Sequence, residues 1–256
     1  MRPQICDFLP IPELMQAKSI LFIQPHPDDL EIGAGATIAR LTSQGIPVSC
    51  LTVTDGSAGT YDQHMNPDLL SKTRRNETAK SSAVLGVQEL LWLDFPDGGI
   101  LPYEEVRAEI AKMIRQVKPQ AVMVCDPWLP YEVHSDHIRT GMAAAEAAFL
   151  ANMPNFCPVD LQEGLQPHAV DMIAFYYTAY PNTFIEAGEY WNLKFEAIGC
   201  HNSQFPPDKM NQLRAFLEAK AADYSNQSGR DMSAPVEAFK VLTPAHLHIF
   251  EEAWRC

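Results

Sequence analysis

Three observations predict an α/β fold with a mostly parallel sheet and helices on both faces. Apolar runs of strand length recur at 19–23, 48–53, 89–93 and 121–125. Segments with apolar residues at helical spacing lie between them, and Gly or Pro marks most of the joints. Strands separated by helices pair in parallel through right-handed crossovers, which places the helices on both faces of the sheet.

Taken in order, Ser19–Ile23 reads as a buried first strand. It runs into Gln24-Pro25-His26-Pro27-Asp28-Asp29. From Glu31 to Gln44, Ile32, Ala36, Ile38, Ala39 and Leu41 recur at helical spacing, and Gly45 and Pro47 stop the helix. Val48–Val53 is the second strand and ends in the turn-rich Thr54–Gly59. The segment Asp68–Leu85 reads as a helix with Arg74 and Glu77 one turn apart and Gly86 as its stop. A third strand, Glu89–Leu93, leads into Asp94–Gly99. Tyr103–Val117 is an amphipathic helix broken by Pro119, and Ala121–Cys125 is the fourth strand.

The loop Asp126–His137 then opens an alanine-rich helix over 138–151. Pro- and Gly-marked loops follow at 154–158 and 164–168, then a strand at 172–177 and helices at 194–201 and 210–224. After a loop at 227–230 the chain returns through Pro235–Phe239. The expected architecture is a Rossmann-like three-layer sandwich, one domain over 1–256. Residues from about 152 onward would form loops and helices around the active site.

Composition narrows the functional classes. A chain of 256 residues with 46% hydrophobic content can bury a sizeable core. Its start lacks the pattern of a signal peptide and no apolar run reaches membrane-span length, so no membrane partner and a cytoplasmic location are expected. A net charge of −13, without a Lys/Arg cluster, argues against a nucleic-acid partner. The six cysteines include no close pair, so free thiols are the default.

Chemistry concentrates in two stretches. After the first strand, His26, Asp28 and Asp29 put one imidazole and two carboxylates within four residues, presented on a backbone stiffened by Pro25 and Pro27. Ligand-type side chains so close crowd like charge unless a cation offsets it, and imidazole with carboxylate suits a divalent metal. The plainer alternative is that Asp28 or Asp29 caps the following helix. After the fourth strand, at the same sheet edge by βαβ logic, come His134-Ser135-Asp136-His137. Each histidine alone could be a cap or a packed imidazole.

Together these residues resemble the zinc-dependent N-acetylglucosamine deacetylases of the LmbE/PIG-L family. Pro25-His26-Pro27-Asp28-Asp29 and His134-Ser135-Asp136-His137 are similar to its two signature motifs. Supporting segments match as well: Thr54-Asp55-Gly56 with Gly59, Arg74 with Glu77 ahead of Leu85-Gly86, and His201 with Ser203-Gln204 after Lys194. Asp126–Glu132 and Phe175–Thr178 are most similar to the diacetylchitobiose deacetylase branch. Leu30 departs from the family, which often has Glu there.

The resemblance implies His26, Asp29 and His137 as ligands of Zn2+, with other divalent metals accepted in related enzymes. It implies Asp28 as general base and a protonated His134, oriented and charged by Asp136, at the oxyanion. The products are acetate and a free amine. The expected substrate is a small N-acetylated sugar, N,N′-diacetylchitobiose, with a GlcNAc-malate thiol precursor or another N-acyl glycoside as the alternative. A homo-oligomer, trimer or hexamer, is implied too. Asp55, Arg74, Trp128 and Tyr131 are expected to contact substrate, the aromatics by stacking on sugar faces. Tyr176 and Tyr177 sit in an apolar strand, where core packing is the favoured role. His201–Gln204 reads as a polar helix end supporting nearby loops.

Two other classes compete. Gly33-x-Gly35 after the first strand, with Asp55 ending the second, imitates a dinucleotide fingerprint. Ile38 replaces the third glycine, however, and Asp28 and Asp29 would oppose a pyrophosphate. A non-catalytic metal-holding sugar binder would keep the ligands but would not need Asp28 or His134.

Overall fold

The computed structural model describes residues 8–99, 101–229, 234–248 and 250–256. Its strands are β1 (Ile20–Gln24), β2 (Val48–Thr54), β3 (Glu89–Phe95), β4 (Ala121–Cys125), β5 (Met172–Tyr176), β6 (Thr183–Glu186) and β7 (Val236–Leu242). The α-helices are α1 (Asp29–Ser43), α2 (Pro67–Leu85), α3 (Tyr103–Val117), α4 (Ser135–Leu150), α5 (Val159–Gln162), α6 (Tyr190–Ile198) and α7 (Pro207–Gln227). The strands make a seven-stranded sheet in the order β3-β2-β1-β4-β5-β7-β6.

The pairs β1–β4, β4–β5 and β2–β3 are parallel, and β5–β7 is antiparallel. Every residue of β1, β4 and β5 is buried, as expected for parallel strands covered on both faces, which is why they read as continuous apolar runs. The expected α/β architecture with a mostly parallel sheet is therefore the observed one.

Contacts divide the chain into two compact units, each assembled from separate segments. One comprises residues 1–23, 101–183 and 239–256; the other comprises 24–100 and 184–238. In the first, Arg115 of α3 is fully buried. It donates to the carbonyls of Ala151, Met153, Phe156 and Cys157 and, at 2.6 Å, to Asp160 of α5. One guanidinium thus ties an irregular segment to α3 through charged hydrogen bonds. In the second, α1 packs on α6 and α7 through Ala36, Trp191, Phe195, Ile198 and Leu217. Lys194 of α6 is buried there. Its Nζ meets Glu237 Oε1 at 2.5 Å and the Ile32 carbonyl at 2.9 Å.

Several elements differ from the sequence expectation. Helix α1 begins at Asp29 instead of Glu31, and α6 at Tyr190 instead of Lys194, because buried Trp191 already belongs to the packed face. The strand at 172–177 ends at Tyr176, since Tyr177 turns out of the ladder with φ 55°. β6 and α5 are additional short elements, and the returning segment at 235–239 belongs to a buried strand. Of the 227–230 loop, Arg230 lies outside the described residues, as does the start of the chain. Cys50, Cys157 and Cys200 are free thiols as expected, but Cys256 is disulfide-bonded, which sequence spacing gave no means of seeing. Among the described residues, no helix is long and apolar enough to cross a membrane.

Candidate active site

The first chemical group sits between β1 and α1. Gln24 fixes both ends of this turn: its amide donates to Thr52 Oγ1 at 2.9 Å, and its carbonyl oxygen accepts from the Leu30 N–H at 2.9 Å. The Pro25 carbonyl accepts from both the N–H and the hydroxyl of Thr54, binding the turn to the end of β2. On this support Asp28 adopts φ 132°, a region that costs a non-glycine residue energy and persists only where the surroundings enforce it. Asp28 occupies the N-cap position of α1 but makes no side-chain cap bond, so the plain capping role is not the one it plays.

The strained backbone sends the adjacent carboxylates to different partners. Asp29 Oδ2 accepts from the His26 N–H at 3.0 Å and lies 3.4 Å from His26 Nδ1. Asp28 Oδ2 instead meets Arg74 Nη2 at 3.2 Å. Burial pushes the Asp28 carboxyl up to about 6, outweighing the pull of Arg74 in the other direction. A carboxylate with such proton affinity is suited to general-base work near neutral pH.

His26 is fixed from its other side by Asp97, whose Oδ1 lies 3.3 Å from His26 Nε2. Burial disfavours the Asp97 carboxylate, yet His26, the Ala58 N–H and Arg74 together hold its pKa below the ordinary value. This donor set fits a divalent ion. Two ligands about 2.1 Å from a tetrahedral metal lie roughly 3.4 Å apart, the separation of His26 Nδ1 from Asp29 Oδ2. A carboxylate behind the far nitrogen is the usual support for a metal-bound imidazole.

The second group lies at the start of α4. His134 is the N-cap residue and is exposed, Asp136 is fully buried, and His137 is half-buried. Ligand-type atoms of His134 and Asp136 come within 4.8 Å of each other. The two imidazoles stack with centroids 5.0 Å apart, and His137 also stacks on Tyr177 at 6.1 Å. Glu132 ties the pair together: Oε1 accepts from the His134 N–H at 2.8 Å, and Oε2 lies 3.5 Å from His137 Nδ1. Asp97 and Glu132 thus stand in the same relation to His26 and His137. Neither was singled out from sequence, because a carboxylate behind an imidazole carries no spacing signal of its own.

The residues expected to touch substrate have different surroundings. Arg74 is buried, and its donors go to the Pro27 and Gly56 carbonyls and to Asp28, with Asp97 3.7 Å away. Gly56 and Gly59 wrap it closely; a Cβ on Gly59 would lie 2.5 Å from Arg74 Nη1. Asp55 Oδ1 accepts from the Ser57 and Asp97 N–H groups and so holds the turn that carries Asp97. These two side chains support the first group from behind. Trp128 and Tyr131 are 49% and 98% exposed, and Trp128 borders a cavity of about 240 Å³ with Phe175, Tyr180 and Trp254. Tyr176 is fully buried against Phe22, whereas Tyr177 is only partly buried. The glycines of the dinucleotide-like pattern lie inside α1, where Gly35 makes room for Lys194.

An α/β sheet that carries imidazole–carboxylate groups after its parallel strands, with a carboxylate of raised proton affinity beside them, supplies the parts that a metal-dependent hydrolase needs. The particular family follows from comparison: residues 21–148 match the family described as PIG-L, GlcNAc-PI de-N-acetylase, and the chain belongs to it. It is 41% identical to the diacetylchitobiose deacetylase of Thermococcus kodakarensis, over 91% of this chain and 86% of that protein. It is 30% identical to a Bacillus anthracis protein named "Probable N-acetyl-alpha-D-glucosaminyl L-malate deacetylase 2", over 78% of this chain and 87% of that one. Among solved structures, the N,N′-diacetylchitobiose deacetylase of Pyrococcus horikoshii, complexed with its inhibitor MPG, superposes with a TM-score of 0.86. It shares 39% identity, over 91% of this chain and 87% of that one.

Proposed function

We propose that this protein is a zinc-dependent deacetylase that hydrolyses the acetamide of N-acetylglucosamine-containing sugars, with N,N′-diacetylchitobiose as substrate. The observation that carries the reading is the separation of the adjacent carboxylates, Asp29 turned to His26 and Asp28 to Arg74. A binder needs only the first arrangement. An amide hydrolase needs both, a ligand and a base side by side.

His26, Asp29 and His137 would hold the ion, which when bound supplies a Lewis acid for the acetamide and a lowered water pKa. The two ligand loops follow β1 and β4, which pair in parallel and so send their chains out at the same end. Asp28 takes the proton of the attacking water. A protonated His134, charged and oriented by Asp136, donates to the oxyanion as the carbonyl becomes tetrahedral. As that intermediate collapses, the proton taken by Asp28 passes to the nitrogen, the C–N bond breaks, and acetate and the free amine are released. We further propose a single catalytic domain acting as a cytoplasmic homo-oligomer, in keeping with the family resemblance.

The test is elemental analysis of the purified protein together with amine release from N-acetylated sugars. The expected result is about one zinc per chain and stoichiometric acetate and amine. Metal-loaded protein that releases no amine from any N-acetylated sugar would overturn the reading. The Bacillus relative favours one alternative substrate, a GlcNAc-malate conjugate.

A further inference from the structure

We propose that the turn His201–Gln204, which follows α6, is a positioning element for Asp28, acting by fixing the two helices that bring Asp28 and Arg74 together. The proposal rests on the reading of Asp28 as the base.

His201 is fully buried. Its Nε2 lies 3.1 Å from Ser81 Oγ on α2 and 3.3 Å from Glu31 Oε1 on the first turn of α1, and Ser81 Oγ donates to the same Glu31 oxygen. Two residues on, the Ser203 N–H and hydroxyl donate to the two oxygens of Glu77, at 2.8 and 2.6 Å. Glu77 sits one turn beyond Arg74 on α2. Gln204 Nε2 donates to the Gly59 carbonyl at 3.0 Å, in the loop whose Gly56 carbonyl accepts from Arg74. One turn therefore clamps α1, whose N-cap residue is Asp28; α2, which carries Arg74; and the loop that closes over the guanidinium.

The chemistry of the clamp argues for placement over stability. Glu31, Glu77 and His201 are all buried, and burying charge is a poor way to gain stability, since apolar groups of the same volume often do as well or better. Charged hydrogen bonds do fix distances and angles between the groups they join. The His201 imidazole is well matched to this role. Burial opposes its charge, but Glu31, Asp28 and Glu77 together raise its pKa above the usual value, favouring the cation that pairs with Glu31.

The experiment uses Glu77→Gln, His201→Gln and the milder Ser203→Ala in the metal-loaded enzyme, with N,N′-diacetylchitobiose as substrate. Each should lower kcat by about 10- to 100-fold, the range for residues that orient catalytic groups, with KM and metal content unchanged. Each effect should largely vanish in an Arg74→Lys background, because the residues act through that contact. Full kcat in folded variants, a rise confined to KM, or additivity with Arg74→Lys would overturn the proposal. Hydrogen exchange gives a readout free of turnover. Exchange in a peptide spanning Pro25–Ile32 should quicken in the variants while that of the β4 strand stays unchanged; no change there would also overturn it. A wild type without amine release, but with this exchange pattern in the variants, would remove the assigned reaction and leave the clamp standing.

Discussion

Arg74 holds Asp28 twice with one nitrogen: Nη2 lies 3.2 Å from Asp28 Oδ2 and donates at 2.8 Å to the carbonyl of the residue before it, Pro27. The guanidinium thus fixes both the charge of the base and the backbone that presents it. Lysine keeps the charge but cannot form the same fork. Arg74→Lys is therefore expected to lower kcat by roughly 10- to 100-fold, with KM and bound metal nearly unchanged. Steady-state kinetics decide between this role and direct substrate binding, in which KM would rise instead.

Asp28→Asn should keep the metal and the fold while losing about 100-fold or more in turnover, the scale of general-base catalysis. Asparagine can still accept a hydrogen bond from Arg74 but cannot take a proton from water. His134→Ala should likewise lower kcat more than it raises KM, because its proposed partner is the developing oxyanion. Metal analysis alongside kinetics separates these outcomes from loss of the ion.

What the sequence made legible follows from how local each signal is. β1, β4 and α3 were readable because their burial and period are written within the element itself. β6 is a short, half-exposed strand with no alternation to announce it, and the aromatic Tyr190–Trp191 start of α6 resembles a loop flank until its partners on α1 are known. The ligand-type residues were visible as types at a spacing. The different partners of Asp28 and Asp29 depend on one positive φ, and Asp97 and Glu132 depend on distant partners, so neither could be read from spacing. The exposed Trp128 and Tyr131 were readable only as aromatic surface.

Asp97→Ala tests the support behind His26. It removes the carboxylate 3.3 Å from Nε2 and frees the ring to turn, so metal affinity should fall by about 10- to 100-fold. Competition with a chromogenic chelator measures it. Unchanged affinity would show that the Pro25–Pro27 backbone alone sets the ring. His137→Ala should reduce metal content further, as expected for loss of a ligand.

His201 gives a pH signature in stability. Its folded pKa is raised above 6.5, so the folded state binds the proton more tightly than the unfolded chain. That contribution is fully present below 6.5 and is lost as pH rises through the folded value. The charges facing it are Glu31, Asp28 and Glu77, so all act in the same direction. Urea denaturation of wild type and His201→Gln should show the larger gap at about pH 6 and a smaller one at about pH 9. A gap that widens with pH would mean the ring is held neutral.

The substrate prediction depends on Trp128 and Tyr131, which flank the second chemical group from the loop between β4 and α4. Trp128 stands edge-on to Phe175 at 5.6 Å, which fixes the indole while leaving it 49% exposed. Tyr131 is 98% exposed on a backbone with φ 69°. A fixed aromatic face can cover a sugar ring at little entropic cost. Trp128→Ala should therefore raise KM several-fold for N,N′-diacetylchitobiose and much less for GlcNAc, which lacks the second ring. Arg74 Nη1 and Nη2 already donate to the Gly56 and Pro27 carbonyls and to Asp28, and a net charge of −13 gives no general attraction for an anionic aglycone. On these grounds kcat/KM should rank diacetylchitobiose above both GlcNAc and a GlcNAc-malate conjugate. If the malate conjugate wins by tenfold, about 1.4 kcal/mol of transition-state preference, the aromatic loop serves another aglycone while the roles of Asp28 and the imidazoles stand.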